Sequence, residues 1–187
     1  MSPFAYRQPV TFWEEPLVSG ETADAWLELR TPAPHITVAT PHLPEGLTDA
    51  ESQVTLRHLL DAHLGDHAEP LVTWYYTPMM LPFSRHLQAA CTIYDCMDEL
   101  ANFRFAPPQL AELEAELFER ADLVFTGGYS LYEAKRARHP AVHAFPSSVD
   151  AAHFAAARLP GEDPSDQAAL ARPRFGFYGV IDERMDL

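Results

Sequence analysis

Long apolar runs are missing from this sequence: no stretch approaches the ~18 consecutive apolar residues that a membrane-crossing helix needs. Residues 1–7 also lack the apolar core of a secretory leader. Positive charge is scarce, with 13 basic residues against 27 acidic ones and a formal charge of −14. That balance leaves no basic footprint for nucleic acid and no polybasic patch for a membrane surface. Lysine occurs once, at Lys135. Cysteine occurs twice, at Cys91 and Cys96, five residues apart in an apolar run. On a strand the two would point to opposite faces, which suits buried thiols rather than a disulfide, and two cysteines make no zinc framework. A reducing, cytoplasmic setting follows as the expectation. There is no G-x-G-x-x-G, no Walker A motif, no C-x-x-C and no H-E-x-x-H.

What is present fits one α/β unit. The 187 residues are 47% hydrophobic and 21% charged, enough for one such domain with a proper core and too few for two. The 17 prolines, nearly twice the usual ~5% share, punctuate short connections. Residues 9–15, 26–30 and 35–40 read as strands, the last two separated by the turn holding Pro32 and Pro34. Thr48 with Glu51 forms a capping-box pattern, opening a helix that carries Val54, Leu56, Leu59, Leu60 and Leu64 and ends at Gly65. Residues 71–76, 91–97, 122–126 and 142–145 are short apolar runs bounded by turn residues. Helical stretches at 83–89, 107–120 and 130–138 alternate with them. Strand–helix–strand repeats of this size predict a mostly parallel, Rossmann-like sheet with helices on both faces. Residues 151–173 turn to Ala, Pro, Asp and Gly and read as a linker, and residues 175–181 read as a fresh strand.

In open parallel sheets, ligands bind outside the carboxyl ends of the strands. Asp95, Asp98 and Glu99 lie just past the end of one strand, and Asp95 or Asp98 is a candidate to bind hydroxyls or act as a base; otherwise Asp98 caps the next segment and Glu99 is solvated. Gly127, Gly128 and Ser130 follow another strand, as a polar-group cradle or as a plain turn with Ser130 capping and Glu133 its capping-box partner. Glu14-Glu15-Pro16 and Thr40-Pro41-His42 end strands that could line the same cleft or merely stop there. His58, Asp61, His63, Asp66 and His67 share a helix; His63 and His67 have metal-compatible spacing, but a solvated face is the plainer account. Arg184, after the last apolar run, could neutralise a diphosphate or pair with Asp182 or Asp186.

As a set, residues 94–100, 121–131, 145–150 with His153-Phe154, and 176–184 resemble a bacterial group of GT-B glycosyltransferases, in order and in spacing. That resemblance implies two Rossmann-like domains flanking a cleft, with the acceptor on the N-terminal one and a nucleotide sugar on the other. On that template, residues 1–150 form the acceptor-side domain without its first strand, 151–173 the linker and 174–187 the first strand of a donor domain. The implied reaction moves a sugar from a nucleotide sugar to a glycan or lipid-linked acceptor, as in polysaccharide assembly. It needs no cofactor, and any membrane contact comes through the acceptor. Asp95, Asp98, Glu99 and Ser130 become acceptor-side candidates and Arg184 a donor-diphosphate contact. The class's E-x7-E pair does not occur, its strand-end histidine is replaced by Tyr75-Tyr76-Thr77-Pro78, and the diphosphate-holding glycine loop is not visible. These 187 residues alone are therefore not expected to transfer sugar. Two other readings stand beside this one: a non-catalytic flavodoxin-like binding module, and a metal-dependent hydrolase built on Asp95 and Asp98.

Overall fold

A computed structural model describes residues 5, 7–20, 23–65, 70–146, 148–159, 161–179 and 181. It is α/β, with parallel strands in two sheets. The first sheet is built around β4 (Ile36–Pro44). β3 (Trp26–Ala33) runs antiparallel along one edge, with Trp26 opposite His42 and Ala33 opposite Ile36. The two-residue turn joining them places Pro34 before His35, whose φ is 61°. Proline's fixed φ followed by a left-handed residue is the pattern of a type II turn. β1 (Val10–Trp13) and β2 (Leu17–Ser19) both run parallel to β4 and share its residues with β3, so they occupy the other edge in tandem. Trp13 faces Ala39 and Leu17 faces His42, so residues 14–16 span only two positions of β4. Pro16 sits in this bulge, where a missing N–H interrupts nothing.

The second sheet is wholly parallel, in the order β5 (Val72–Tyr75), β6 (Cys91–Cys96), β7 (Leu123–Thr126), β8 (Val142–Ala144). These are the four apolar runs expected to be strands. The register aligns Tyr75, Tyr94, Val124 and Val142 in one row across the sheet, and all four are buried. Their cluster includes Leu81 of α2 (Leu81–Ser84), Leu117 and Phe118 of α3 (Leu110–Arg120), and Leu131 and Tyr132 of α4 (Tyr129–Lys135). The three helices thus cover the same face. When each right-handed crossover steps to the next strand in the same direction, its helix falls on one side. A second cluster joins α1 (Asp49–Leu64) to the first sheet through Leu43, Leu56, Leu60 and Phe83. Thr48 and Glu51 form the expected reciprocal cap.

Some local expectations shift. The helix expected at 83–89 is instead a 3-10 turn, Pro78–Met80, running into α2. Pro78 and Pro82 occupy first-turn positions, where a proline's missing N–H costs nothing. Gly128, not Ser130, is the N-cap of α4, and Glu133 pairs with Arg136. A five-residue helix, Ala151–Ala155, capped by Asp150, opens the segment read as a linker. Residues 175–179 and 181 form no strand, correcting the expectation for 175–181: Phe175, Phe177 and Tyr178 are exposed, and among the described residues no strand pairs their backbone.

Leu117 is fully buried at the centre of the helix-covered face. Leu117→Ala should lower unfolding stability by about 2–5 kcal/mol through lost burial and a residual cavity. Urea titration should show this as an earlier midpoint at unchanged slope.

Candidate functional site

Parallel pairing carries the ends of β6 and β7 to the same edge of the sheet. The N–H of Gly127 donates to the Cys96 carbonyl at 3.0 Å. A Cβ on Gly127 would lie 2.8 Å from the Met97 carbonyl oxygen, so only glycine lets the two turns approach this closely. Residues 97–99 and 127–130 therefore stand side by side at the carboxyl end of the second sheet.

The candidate residues on these turns have different fates. Asp98 is exposed, and its Oδ1 accepts the backbone N–H of Glu99 at 2.9 Å. Ser130 is exposed in the first turn of α4. Glu99 points to the helix side, where Lys135 Nζ donates to it at 2.5 Å. Asp95 lies on the opposite face, where its Oδ2 accepts the Trp74 indole N–H at 3.1 Å. Asp95 is placed by its position on β6, whereas Asp98 and Glu99 are placed by the turn that follows it, so the three carboxylates are parted. Arg184, with Asp182 and Glu183, lies outside the described residues, as do Asp66 and His67.

Sequence reasoning missed the group that holds Glu99. Glu114, on the buried side of α3, accepts from Tyr94 Oη at 3.0 Å, Lys135 Nζ at 3.0 Å and Arg138 Nη1 at 2.6 Å. The Arg138 guanidinium also lies 4.1 Å from the centre of the Phe118 ring. Burial alone would raise the Glu114 pKa, but hydrogen bonds from Arg138 and Lys135 outweigh it and hold the carboxyl below its usual range. Burial likewise works against charge on Lys135, and the bonds to Glu99 and Glu114 override it, leaving the ammonium pKa raised. The sequence held two signals for this cluster: a glutamate among the apolar positions of α3, and a solitary lysine.

The strand ends Glu14-Glu15-Pro16 and Thr40-Pro41-His42 are tied up within the first sheet. Glu14 accepts from Thr40 Oγ1 at 2.5 Å and from Arg30 at 3.2 Å. His42 bonds Glu28 at 3.1 Å and stacks on Trp26 with ring centres 4.1 Å apart. A cleft of about 310 Å³ opens at the other end of the second sheet, beside Thr73, Thr92 and Asp122. Its arginines, Arg85 and Arg120, both pair with Glu116, and Asp122 accepts the Thr92 N–H. We assign this cleft no role, because its charges already satisfy one another. Among the described residues no group of three or more His, Cys, Asp and Glu is placed to hold an ion. Cys91 and Cys96 are both free thiols. Among the described residues no helix is long and apolar enough to cross a membrane.

No family model, curated protein or solved structure matches this chain. The carboxyl-end turns offer an exposed carboxylate, a hydroxyl and close-set backbone, which together can hold the hydroxyl groups of a polar ligand.

Three outcomes follow from these charges. Burial raises the pKa of Asp95 despite the Trp74 hydrogen bond, so its ionised form weighs against the fold. A raised carboxyl pKa costs stability as pH climbs from the unfolded value, ~3.9, through the folded one. Asp95→Asn keeps an acceptor for Trp74 and should raise the melting temperature at pH 7, with the gain disappearing below about pH 4. In the buried cluster, Lys135→Met should cost about 3–5 kcal/mol at pH 7 by leaving Glu114 and Glu99 short of a partner. The lowered pKa of Glu114 gives stability that is present above its unfolded value, ~4.3, and lost as pH falls through the folded one. Urea unfolding of Glu114→Gln across pH 2–7 should lack that acid-side loss.

Proposed function

We propose that this chain is the acceptor-side α/β unit of a glycosyltransferase that moves a sugar from a nucleotide sugar to a glycan or lipid-linked acceptor. The observation that carries the proposal is the apposition of the Met97–Asp98 turn and the Gly127–Ser130 turn at the carboxyl end of a parallel sheet, clamped by the 3.0 Å Gly127–Cys96 bond. That is where open α/β sheets take ligands. Asp98 is the residue to receive an acceptor hydroxyl, as hydrogen-bond acceptor and as base when the proton leaves. Ser130 supplies a second polar contact. Glu99 acts indirectly: its bond to Lys135 fixes the turn that carries Asp98. Arg184 is the proposed partner of the donor diphosphate, since a guanidinium forks onto phosphate oxygens. The order and spacing of residues 94–100, 121–131, 145–150 and 176–184 support the same reading.

The test is amide NMR of the full chain titrated with a panel of nucleotide sugars, oligosaccharides and lipid-linked sugars. The expected result is saturable shifts at residues 97–99 and 127–130 with one class of acceptor. Asp98→Ala should weaken that binding by roughly tenfold, the scale of a charge-assisted hydrogen bond. Shifts confined to other surfaces, or equal affinity for the Asp98→Ala protein, would remove the acceptor site.

A further inference from the structure

His139 stands in the turn between α4 and β8, and both of its ring nitrogens are committed. Nε2 lies 2.9 Å from the Ala121 carbonyl oxygen, which can only accept, so Nε2 carries the proton. Nδ1 lies 3.1 Å from the Ala141 backbone nitrogen, whose N–H can only donate, so Nδ1 is bare. The geometry thus selects one neutral tautomer. Pro140 has no N–H, so Ala141 offers the first backbone donor after the ring. The Ala141 carbonyl in turn accepts the Val124 N–H at 3.0 Å, where β8 begins to pair with β7. Ala121 closes α3, its N–H bonded to the Leu117 carbonyl at 2.9 Å. One side chain therefore joins the end of α3 to the start of β8.

An imidazolium donates from both nitrogens and accepts at neither. A proton on Nδ1 would face the Ala141 N–H, donor against donor, and would take away that group's acceptor. The charged groups on the surrounding elements already have partners. At the end of α3, Arg120 pairs with Glu116, and Asp122 takes the Thr92 N–H. At the end of α4, Arg136 pairs with Glu133, and Arg138 with Glu114. On β8 the titratable group is His143, whose ring meets Phe125 at 6.3 Å. Among the described residues no carboxylate pairs with His139, so nothing offsets the lost acceptor. The ring is half-buried, and a proton can reach it from water. We infer that His139 is a pH-sensitive staple, closed while its ring is neutral and released when the ring is protonated, so that acid frees the start of β8 while the helix-covered core stays folded. β8 is built to open: it has three residues, lies at the sheet edge and contributes Val142 alone to the core cluster. Short edge elements open at lower free energy than the core they border. The inference does not rest on the proposed acceptor turns.

The test is NMR of the full chain between about pH 7.5 and 5, the range in which imidazoles ordinarily take up protons. At the upper end, nitrogen-15 ring shifts are expected to show the His139 proton on Nε2. As the pH falls, exchange protection of the Ala141 and Val124 amides, corrected for the intrinsic pH dependence of exchange, should drop at least roughly tenfold in step with charging of the His139 ring. Amides of α3 should keep theirs. His139→Asn retains an acceptor for the Ala141 N–H and cannot charge, so its protection should stay level; His143→Gln should retain the drop. A proton on Nδ1 at the upper end overturns the inference, as does a ring still neutral at the lower one. Ala141 protection that is unchanged while the ring charges also overturns it, and so does a drop that persists in His139→Asn or vanishes in His143→Gln. Tautomer and exchange are both read in the unsubstituted protein, so they decide the matter even where a variant does not fold.

Discussion

Glu114 is a carboxylate held on the buried side of α3, and the carboxyl-end geometry depends on how its charge is met. Removing such a group from water costs several kcal/mol unless its oxygens are fully engaged. Tyr94 reaches it from β6, and Lys135 and Arg138 reach it from α4 and the turn beyond. The requirement for partners thereby locks helix to helix and both to the central strand. Because Lys135 also takes Glu99, the lock extends to the turn that follows β6. The exposed Asp98 is carried on a turn whose next residue is pinned to the core, a preorganised arrangement that suits a binding group.

The order of strands has the second-largest consequence. Stepping β5, β6, β7, β8 in one direction places α2, α3 and α4 on one face and none on the other. The side with the complete core holds the row Tyr75, Tyr94, Val124 and Val142, with Leu117 and Phe118 above it. The other side holds Trp74 and Phe125, with Asp95 accepting the Trp74 indole N–H beside them. One strand, β6, therefore serves two faces: Tyr94 and Cys96 face the helix-covered core, and Ile93 and Asp95 face the other side.

Much of the fold was legible in the sequence, for reasons that can be named. The runs at 71–76, 91–97, 122–126 and 142–145 are short, apolar and bounded by turn residues, and all four are strands. The Thr48–Glu51 cap was readable because its partners are three residues apart and the interaction is local. Misreadings occurred where a local rule had competitors. Residues 175–181 have strand composition, yet a strand needs a partner backbone, and none is present for the described part. Ser130 has capping chemistry, yet the turn after β7 tightens against Met97 and starts α4 two residues earlier, on Gly128.

The sequence by itself determined most of the elements, the α/β class and the placement of Asp98 and Ser130 just beyond strand ends, because propensity, capping and hydrophobic period act within a few residues. Tertiary structure alone decided the division into two sheets and the face on which each carboxylate lies. It also decided the pairing of Lys135 with Glu99 and Glu114, across 36 and 21 residues of chain. Those outcomes depend on strand register and crossover direction, which no local pattern encodes. A shift of one residue in register would have exchanged Asp95 for Tyr94 between the core and the opposite face.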